Sequence, residues 1–525
     1  MNTVRIAGGT AGSADELPSH TVFLLGFETS RGDRQLECHR ERRAAAAASR
    51  SPGRFLKERA QGSICSLLPL TLGLAFITFA SASEGQEPSE DGLILFAPLA
   101  STFTYLMTLD GRWVHEWRAG SSPGNSVYLL PNGDLLRPTT VATTTFAEGG
   151  GLGGRVERYD WNNRLVWSFD YAGADHQQHH DAAFLPNGNV LLLAWETRSA
   201  AEAIAAGRRT ELIPREGVLW VDHLVEVDPT TNEIVWVWRL WDHLLARGQE
   251  PDEHPELVDP NFDPNFDSRS VAPDWTHANA VAYNAGLDQV ILSIRNLSEL
   301  WILDHGTTTE EAAGHVGGRR GRGGDLLYRW GNPAAYGMEG ERQLWGQHNA
   351  RWIEDGFVGA GNILVFDNGD RSARPYSAVV EIRPPLGPDG SYPINRGFAF
   401  GPEEPAWRYA ATPPESLFAP FISGAQRLPN GNTLICDGPA GRFLEVTREG
   451  ETVWSYTVTG GGAALETGID VFRAERYERG HSGFAGRVLE PGDTLRVVLD
   501  LSDPEVPLDA PESGDRENVT SPPFP

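Results

Sequence analysis

Short apolar stretches separated by polar turns recur along residues 91–490 of this 525-residue chain. Each unit has an apolar strand, a Leu-Pro-Asn-Gly turn, a second apolar strand, a third strand with Glu or Asp, and a strand that carries Trp. The unit is most regular at residues 130–167, 185–236 and 428–454. Asn-Gly supplies the positive φ angles of a tight hairpin, and alternating apolar residues are typical of half-buried strands. The pattern therefore predicts repeated antiparallel sheets.

Degenerate copies of the unit around Trp117, Trp330 and Trp407 bring the tryptophan-bearing strands to six. Self-similarity at a fixed period, here about 50 to 60 residues, is the signature of a repeat architecture. A radial array of four-stranded sheets fits better than a sandwich because the period holds across the chain. The sequence predicts an all-β fold, a six-bladed β-propeller of four-stranded antiparallel blades that spans residues 91–490.

Two longer segments interrupt the repeat, and we name them insertion 1 (residues 241–273) and insertion 2 (residues 307–324). Insertion 1 is rich in Asp, Pro and Asn, whereas insertion 2 is rich in Gly and Arg. Loops of this length are usually functional or mobile. We therefore expect the two insertions to cover a pocket of the propeller.

The segments that flank the repeats differ from them in composition. Residues 1–53 are polar and rich in Arg and Ala, and residues 501–525 are rich in Asp, Glu and Pro, so both are expected to be disordered. Residues 54–82 place a basic stretch before an apolar run at 64–80 and small residues after it, which is typical of a secretory signal. We expect cleavage after Ala82. The alternative is an uncleaved membrane anchor, because the run has about the minimum length for a span. In either case the propeller is expected to be periplasmic or secreted.

Charge and cysteine content narrow the classes of function. The formal net charge of −27 argues against nucleic-acid binding and against an anionic membrane surface, so an anionic substrate needs a locally positive pocket. Lys57 is the single lysine, so positive charge within the predicted propeller comes from arginine. Cys38 and Cys65 precede the propeller, which leaves Cys436 alone in it, as an expected core residue without a disulfide partner.

Histidines precede the first strand of three successive predicted blades. His179 and His180 do so in one blade, His277 in the next and His348 in the third. Equivalent positions on successive blades lie around one end of the central channel, so these imidazoles are expected to face each other. Arg295 ends an apolar, strand-like run and is expected to reach the same pocket. A neutral imidazole is a competent nucleophile near pH 7, and arginine binds sulfate, phosphate or carboxylate through bidentate hydrogen bonds.

The same residues allow other interpretations. Three converging histidines could bind a metal ion, but Arg295 in the pocket would repel a divalent cation and favour an anion. We therefore expect no metal and no cofactor. The alternatives for the individual residues are loop histidines satisfied by local hydrogen bonds and a surface ion pair for the arginine.

Five segments carry a resemblance to a known family, and they lie at residues 274–279, 293–295, 328–333, 346–348 and 361–369. They resemble the bacterial arylsulfate sulfotransferases, enzymes that act without the sulfate donor PAPS. The resemblance covers about residues 91–490. It implies a six-bladed propeller that transfers a sulfuryl group by a ping-pong route, from a small-molecule aryl sulfate donor to a phenolic acceptor.

The resemblance also implies roles for single residues. His348 corresponds to the histidine that becomes transiently sulfated, and His180, His277 and Arg295 correspond to the other catalytic residues. Asn279 matches a nearby polar residue of the same motif, and we expect it to contact substrate together with His179. Two other functions stay open at this stage: a non-catalytic secreted propeller that binds an anionic ligand, and a sulfatase that uses water as acceptor. The Cys-x-Pro-x-Arg motif of metal-dependent sulfatases is absent from the sequence.

Overall fold

The computed structural model describes residues 92–262, 272–394, 396–460 and 469–499. These residues form 24 β-strands in six four-stranded antiparallel sheets arranged as a ring. The predicted extension (residues 1–53), signal-like segment (54–82) and tail (501–525) lie outside the described residues. Within the described ranges, no helix combines the length and the apolar character needed to cross a bilayer. The predicted fold class, an all-β six-bladed propeller, is confirmed.

The strands are numbered β1–β24 in chain order, and blades 2 to 6 each use four consecutive strands. Blade 1 begins with β1 (Gly92–Pro98), β2 (Phe103–Thr108) and β3 (Trp113–Arg118). Blade 2 contains β4 (Tyr128–Leu129), β5 (Leu135–Thr140), β6 (Gly154–Tyr159) and β7 (Leu165–Asp170). Blade 3 contains β8 (His176–Phe184), β9 (Val190–Ser199), β10 (Val218–Asp228) and β11 (Glu233–Arg239).

The second half of the ring repeats this order. Blade 4 contains β12 (Ala278–Asn284), β13 (Gln289–Ile294), β14 (Glu299–Asp304) and β15 (Tyr328–Trp330). Blade 5 contains β16 (His348–Trp352), β17 (Ile363–Asp367), β18 (Ala378–Ile382) and β19 (Trp407–Ala410). Blade 6 contains β20 (Gly424–Arg427), β21 (Thr433–Asp437), β22 (Arg442–Val446) and β23 (Thr452–Thr457). The last strand, β24 (Val471–Glu478), pairs with β1 and completes blade 1, so both ends of the propeller sequence meet in one sheet.

Helices are short and lie in the connections between strands. Helix α1 (Ala200–Ala205) follows β9, and helix α2 (Thr309–Ala312) lies in insertion 2. Each begins with a capping box, formed by Ser199 with Glu202 and by Thr308 with Glu311, which satisfies backbone N–H groups at the helix start. Single 3₁₀ turns occur at Thr210–Leu212, Leu240–His243, Pro333–Tyr336, Pro414–Ser416, Gly438–Ala440 and Ser482–Phe484.

The tryptophans of the repeat join each blade to the next. In all six blades the indole Nε1–H of the tryptophan on the outermost strand donates a hydrogen bond to the following blade. The pairs are Trp117 with Asp160 O (3.1 Å), Trp167 with Asn232 Oδ1 (2.7 Å), Trp236 with Thr307 Oγ1 (3.0 Å), Trp330 with Pro402 O (2.8 Å), Trp407 with Arg448 O (2.7 Å) and Trp454 with Leu109 O (3.0 Å). The last pair links blade 6 to blade 1 and closes the ring.

The apolar core is divided into layers between neighbouring blades. Between blades 3 and 4, for example, Leu191 and Leu193 of β9 share a buried cluster with Val290 and Leu292 of β13. Corresponding clusters fill the other five gaps around the ring. Cys436 is a free, buried thiol in the layer between blades 6 and 1, as expected from the sequence. Because every blade is buried on two faces, its strands are more continuously apolar than those of a sheet with one solvated face.

Candidate active site

The predicted histidines lie at the start of the innermost strands. Neighbouring inner strands contact each other around the channel, β8 with β12, β12 with β16, and β16 with β20. His277 immediately precedes β12, and His348 is the first residue of β16. His180 differs from the expectation, since it lies inside β8 rather than before it. A β-bulge between Gln178 and Ala182 lets β8 begin earlier while still pairing with β9.

The three histidines do not occupy fully equivalent backbone positions. His180 and His277 both adopt left-handed φ angles, +52° and +51°. In blade 5 the left-handed residue is Asn349, with φ +55°, rather than His348. His348 is therefore displaced by one residue from the other two.

The structure brings His180, His277, His348 and Arg295 together. The rings of His180 and His277 are 4.7 Å apart, and His180 and His348 both contact Phe472, at 6.0 and 6.2 Å between ring centres. Arg295 follows β13 directly, and its backbone N–H donates to the carbonyl of His277 at 3.1 Å. Residues from blades 3, 4 and 5 therefore form one cluster at one end of the channel.

Burial keeps two of the histidines neutral. The pKa of His348 lies well below 6.5, first because the ring is buried and then because of the charge of Arg295. Burial also lowers the pKa of His180 well below 6.5, and His277 and His179 add to that shift. Both rings are therefore unprotonated at one nitrogen near pH 7 and can accept a proton or act as nucleophiles.

Asn368 fixes the tautomer of His348. The Asn368 side-chain Nδ2 donates to the carbonyls of Ala419 and Ile422 at 2.7 and 2.8 Å, so its Oδ1 must point the other way. That oxygen lies 2.7 Å from Nδ1 of His348 and accepts the Nδ1–H bond. The lone pair of His348 is then on Nε2, which has no hydrogen-bond partner within the described residues. The arrangement leaves a buried, neutral imidazole with one available nitrogen.

Asp274 orients His277. Its Oδ2 accepts a short hydrogen bond from Nδ1 of His277, three residues further along the chain. Asn296 holds this turn in place by donating to the backbone carbonyls of Asp274 and Trp275 at 3.0 and 3.2 Å. The contact fixes the orientation of the ring and leaves Nε2 to exchange a proton with a bound molecule.

His179 lies behind His180 instead of beside the opening. It is fully buried, stacks on Trp195 at 3.9 Å, and its Nδ1 lies 2.9 Å from Nδ1 of His180. Its Nε2 is 3.0 Å from Oδ1 of Asp222, although the two groups are not aligned for a hydrogen bond. The other oxygen of Asp222 accepts from Thr276 Oγ1 at 2.5 Å. This position supports His180, and the predicted contact of His179 with substrate stays a prediction.

Asn279 is also fully buried, and it holds the segment that carries His348. Its Nδ2 donates to the backbone carbonyl of Gln347 at 2.8 Å. Gln347 in turn donates to the carbonyl of Glu299 at 2.9 Å, so blade 4 fixes the start of β16. The predicted role of Asn279 in substrate binding likewise stays a prediction.

Arg295 is available for an anion. Its guanidinium donates to Asn296 at 3.1 Å and forms no salt bridge within the described residues. Buried arginines elsewhere in the ring are paired, as Arg329 is with Glu299 and Arg427 with Glu381. Burial lowers the pKa of Arg295 and the Asp274 carboxylate opposes the shift. A guanidinium without a salt-bridge partner among the described residues, next to the neutral His180 and His348, supplies the local positive charge that an anionic substrate requires.

A glycine run that the sequence analysis overlooked contacts the histidine cluster. We name it the glycine loop (residues 149–151). A side chain at Gly151, where φ is +76°, would place Cβ 2.3 Å from the ring of His180. At Gly150 the Cβ would lie 3.3 Å from Cε1 of His277. The described residues of insertions 1 and 2 show no such contact, so their predicted role in covering the pocket stays a prediction.

A polar layer separates the histidines from a second cavity further along the inner strands. Arg473 pairs with Oδ2 of Asp181 at 3.0 Å, and the Tyr128 hydroxyl donates to Oδ1 at 2.7 Å. Arg473 and Tyr128 also line a cavity of about 310 Å³ that includes none of the catalytic candidates. Since Asp181 directly follows His180, this polar layer lies next to the histidine cluster.

The family follows from a comparison of the sequence with protein-family models. Residues 82–471 match the model described as Arylsulfotransferase (ASST). The chain belongs to the arylsulfotransferase family. This match spans most of the described propeller and confirms the family that the sequence segments resemble. A search of curated proteins gave no match to this chain.

Solved structures similar to this chain have low sequence identity and low TM-scores. A Bacteroides caccae protein of unknown function is 14% identical, with 74% of this chain and 98% of that chain covered and a TM-score of 0.40. A putative 6-phosphogluconolactonase from Bacteroides fragilis is 9% identical (75% and 100% covered, TM-score 0.35). A periplasmic gluconolactonase from Pseudomonas aeruginosa is 12% identical (73% and 98% covered, TM-score 0.36). These identities are too low to indicate an activity.

Proposed function

We propose that this arylsulfotransferase transfers a sulfuryl group from an aryl sulfate to a phenol without PAPS, through a covalent intermediate on Nε2 of His348. Family membership by itself supports a sulfotransferase for small aryl sulfates and phenols. The observation that supports an intermediate on His348 is the hydrogen bond between its Nδ1 and Asn368 Oδ1. It leaves the Nε2 lone pair free on a neutral ring next to Arg295.

In the first step, Nε2 of His348 attacks the sulfur of the bound aryl sulfate. An N–S bond forms, the bond between sulfur and the aryl oxygen breaks, and its electron pair leaves with the phenolate. Arg295 binds the peripheral sulfuryl oxygens, on which negative charge is concentrated. The sulfated ring carries a positive charge, and the Nδ1–H bond to Asn368 stabilises it. His277 in its imidazolium form gives its Nε2 proton to the departing phenolate.

In the second step, a phenol replaces the first product. His277, now neutral, accepts the phenol proton, the phenolate oxygen attacks sulfur, and the N–S bond breaks to restore His348. We assign the proton transfer to His277 rather than His180 because Asp274 accepts the Nδ1–H bond of His277 and so leaves its Nε2 to give up a proton in the first step and take one in the second. His180, which burial holds neutral, contributes a polar contact to the transferred sulfuryl group.

The test is His348→Ala with a chromogenic aryl sulfate, with and without an added phenol. We expect loss of phenol release in the variant, and mass spectrometry should detect a sulfated His348 peptide in the wild type after donor alone. His254→Ala is the control, because His254 is a partly exposed histidine of insertion 1 that pairs with Glu256. Near-native phenol release by His348→Ala would exclude this nucleophile. Release of inorganic sulfate at a rate independent of added phenol would identify a hydrolase instead.

We also propose export of the enzyme to the periplasm or the medium, on the basis of the signal-like order of residues 54–82. Cell fractionation followed by N-terminal sequencing of the mature chain tests this proposal. A soluble extracytoplasmic chain that begins after Ala82 is expected. A full-length chain in the membrane fraction would indicate an anchor, and a cytoplasmic chain would contradict export.

A further inference from the structure

The described parts of the two insertions meet at a cluster of metal-ligating side chains. His243 ends the 3₁₀ turn at the start of insertion 1, His315 lies in insertion 2, and Asp325 directly follows insertion 2. One potential ligand atom from each residue lies within 4.8 Å of the others. His243 and Asp325 are 82 residues apart in sequence, so the cluster forms no short motif.

Both histidines are aimed at one carboxylate oxygen. Nδ1 of His243 and Nδ1 of His315 each lie 2.8 Å from Oδ1 of Asp325. The His243 ring is fully buried and lies parallel to Trp238, with ring centres 5.7 Å apart, whereas the His315 side chain is 59% exposed. The cluster therefore has a rigid inner ligand and an adjustable outer one.

The hydrogen bond on the far side of His243 determines what its Nδ1 can do. Nε2 of His243 lies 2.8 Å from the backbone carbonyl of Ala312, and a carbonyl only accepts, so Nε2 carries a proton. A neutral ring then presents the Nδ1 lone pair to the carboxylate of Asp325. Two lone pairs at 2.8 Å repel each other unless a cation lies between them. That cation is either a proton, held by the ring or by the carboxylate, or a metal ion.

We propose that His243, His315 and Asp325 bind one Zn²⁺ ion that cross-links insertions 1 and 2. Two imidazoles and a carboxylate are zinc ligands, and three protein ligands leave the fourth tetrahedral position to water. A histidine that binds a metal through one nitrogen commonly donates its other N–H to a backbone carbonyl, as His243 does to Ala312. Tetrahedral zinc at about 2.0–2.1 Å from each ligand holds ligand atoms roughly 3.3 Å apart, so zinc binding widens each of the two 2.8 Å distances to Asp325 by about 0.5 Å.

The charges around this cluster differ from those at the histidine pocket of the channel. Within the described residues, no arginine forms a salt bridge with Asp325, whereas Arg295 stands beside the catalytic histidines. The argument that excludes a divalent cation from the channel therefore does not apply here. The inference departs from the sequence-based expectation of no metal, because the three residues meet only through the packing of two insertions.

Zinc binding to the full-length protein tests the proposal. After dialysis against a chelator, titration of Zn²⁺ in competition with a chromogenic chelator should show one ion per chain and a rise in the thermal unfolding midpoint. His315→Gln should keep the fold, because its side chain is largely exposed, and should weaken zinc binding at least tenfold and abolish the midpoint shift. Asp325→Asn should weaken binding to a similar degree. His254→Gln, in insertion 1 but outside the cluster, should bind zinc as the wild type does.

Two outcomes would overturn the proposal. One is wild-type protein that binds no zinc and shows no midpoint shift, which would identify a hydrogen-bonded cluster without a metal instead. The other is equal zinc affinity in the wild type and His315→Gln, which would locate the ion elsewhere. Neither readout depends on sulfuryl transfer.

Discussion

At the scale of single residues, chemistry at the mouth of the channel depends on which ring nitrogen carries a proton. Asn368 assigns the proton of His348 to Nδ1, and Asp274 assigns that of His277 to Nδ1. Both assignments leave Nε2 for the substrate. The histidines are recognisable in the sequence because they recur at one phase of the repeat. Their partners are not, since Asn368 follows β17 of blade 5 and reaches His348 only after the sheet has formed.

Asn368→Ala removes the acceptor that holds Nδ1–H of His348. We expect kcat to fall about 10²-fold, because a misoriented nucleophile loses the near-attack geometry, while KM for the aryl sulfate changes little. The matched control is Asn332→Ala, which also removes a buried amide that donates to a backbone carbonyl, that of Leu297 at 2.9 Å, outside the site. Steady-state kinetics of both variants decide the matter. Equal losses of kcat would show that Asn368 acts through stability alone.

At the scale of elements, the glycine loop packs against the histidine cluster, and the indole hydrogen bonds between blades close the ring. The glycine loop lies in the connection between β5 and β6. It approaches His180 so closely that a side chain at Gly151 does not fit, and a Cβ at Gly150 would make a tight contact with His277. The three consecutive glycines were visible in the sequence, but a glycine run is typical of any irregular loop. Its contact with two histidines of other blades is a tertiary feature.

Gly151→Ala should reduce activity at least tenfold, because the new Cβ would displace the ring of His180. It should also lower the free energy of unfolding by about 1–2 kcal/mol, since alanine is strained at positive φ. Gly188→Ala separates the two effects, because Gly188 has φ +92° and a Cβ added there would meet no heavy atom within 4 Å. Assays of phenol release and chemical denaturation should show strain in both variants and loss of activity in Gly151→Ala. Full activity in Gly151→Ala would contradict the contact.

Trp454→Phe removes the indole bond to the carbonyl of Leu109, which links blade 6 to blade 1. We expect a loss of about 1–2 kcal/mol in the free energy of unfolding, because an aromatic ring is kept but a carbonyl loses its partner. Trp113→Phe is the control, since Trp113 is exposed on β3 and should change stability by less than about 0.5 kcal/mol. Urea denaturation followed by circular dichroism measures both. If Trp454→Phe changed the free energy of unfolding no more than Trp113→Phe does, the indole bond would not stabilise ring closure.

At the scale of the whole molecule, buried neutral histidines couple stability to pH. Burial holds the pKa values of His180, His223 and His348 well below 6.5. The unfolded chain binds protons at these positions below about pH 6.5, whereas the folded chain does not, so the free energy of unfolding falls as pH falls. His305 has a raised pKa because Glu226 and Asp288 bind it, and it opposes this trend.

We therefore expect lower stability at pH 5.5 than at pH 7, by up to about 1.4 kcal/mol per pH unit for each of the three histidines. Urea midpoints across this range give the slope. His223→Gln should flatten the slope, because it removes one group that titrates only in the unfolded chain, and His223 lies outside the catalytic cluster. A midpoint that stays constant or rises toward pH 5.5 would contradict the prediction.

The amino-acid sequence alone specifies the repeat and hence the fold. Trp117, Trp330 and Trp407 identified the degenerate blades correctly. Each indole forms a hydrogen bond to the next blade from an equivalent position, so tryptophan recurs with the period of the repeat. The sequence also indicated His180, His277 and His348 through their phase in the repeat, and Arg295 through the apolar run that it ends. Four features emerged only from the folded chain: the pairing of β24 with β1, the tautomers set by Asn368 and Asp274, the approach of the glycine loop, and the cluster of His243, His315 and Asp325. Each of these contacts joins segments far apart in the chain or depends on the direction of a side chain, and local sequence patterns carry no information about either.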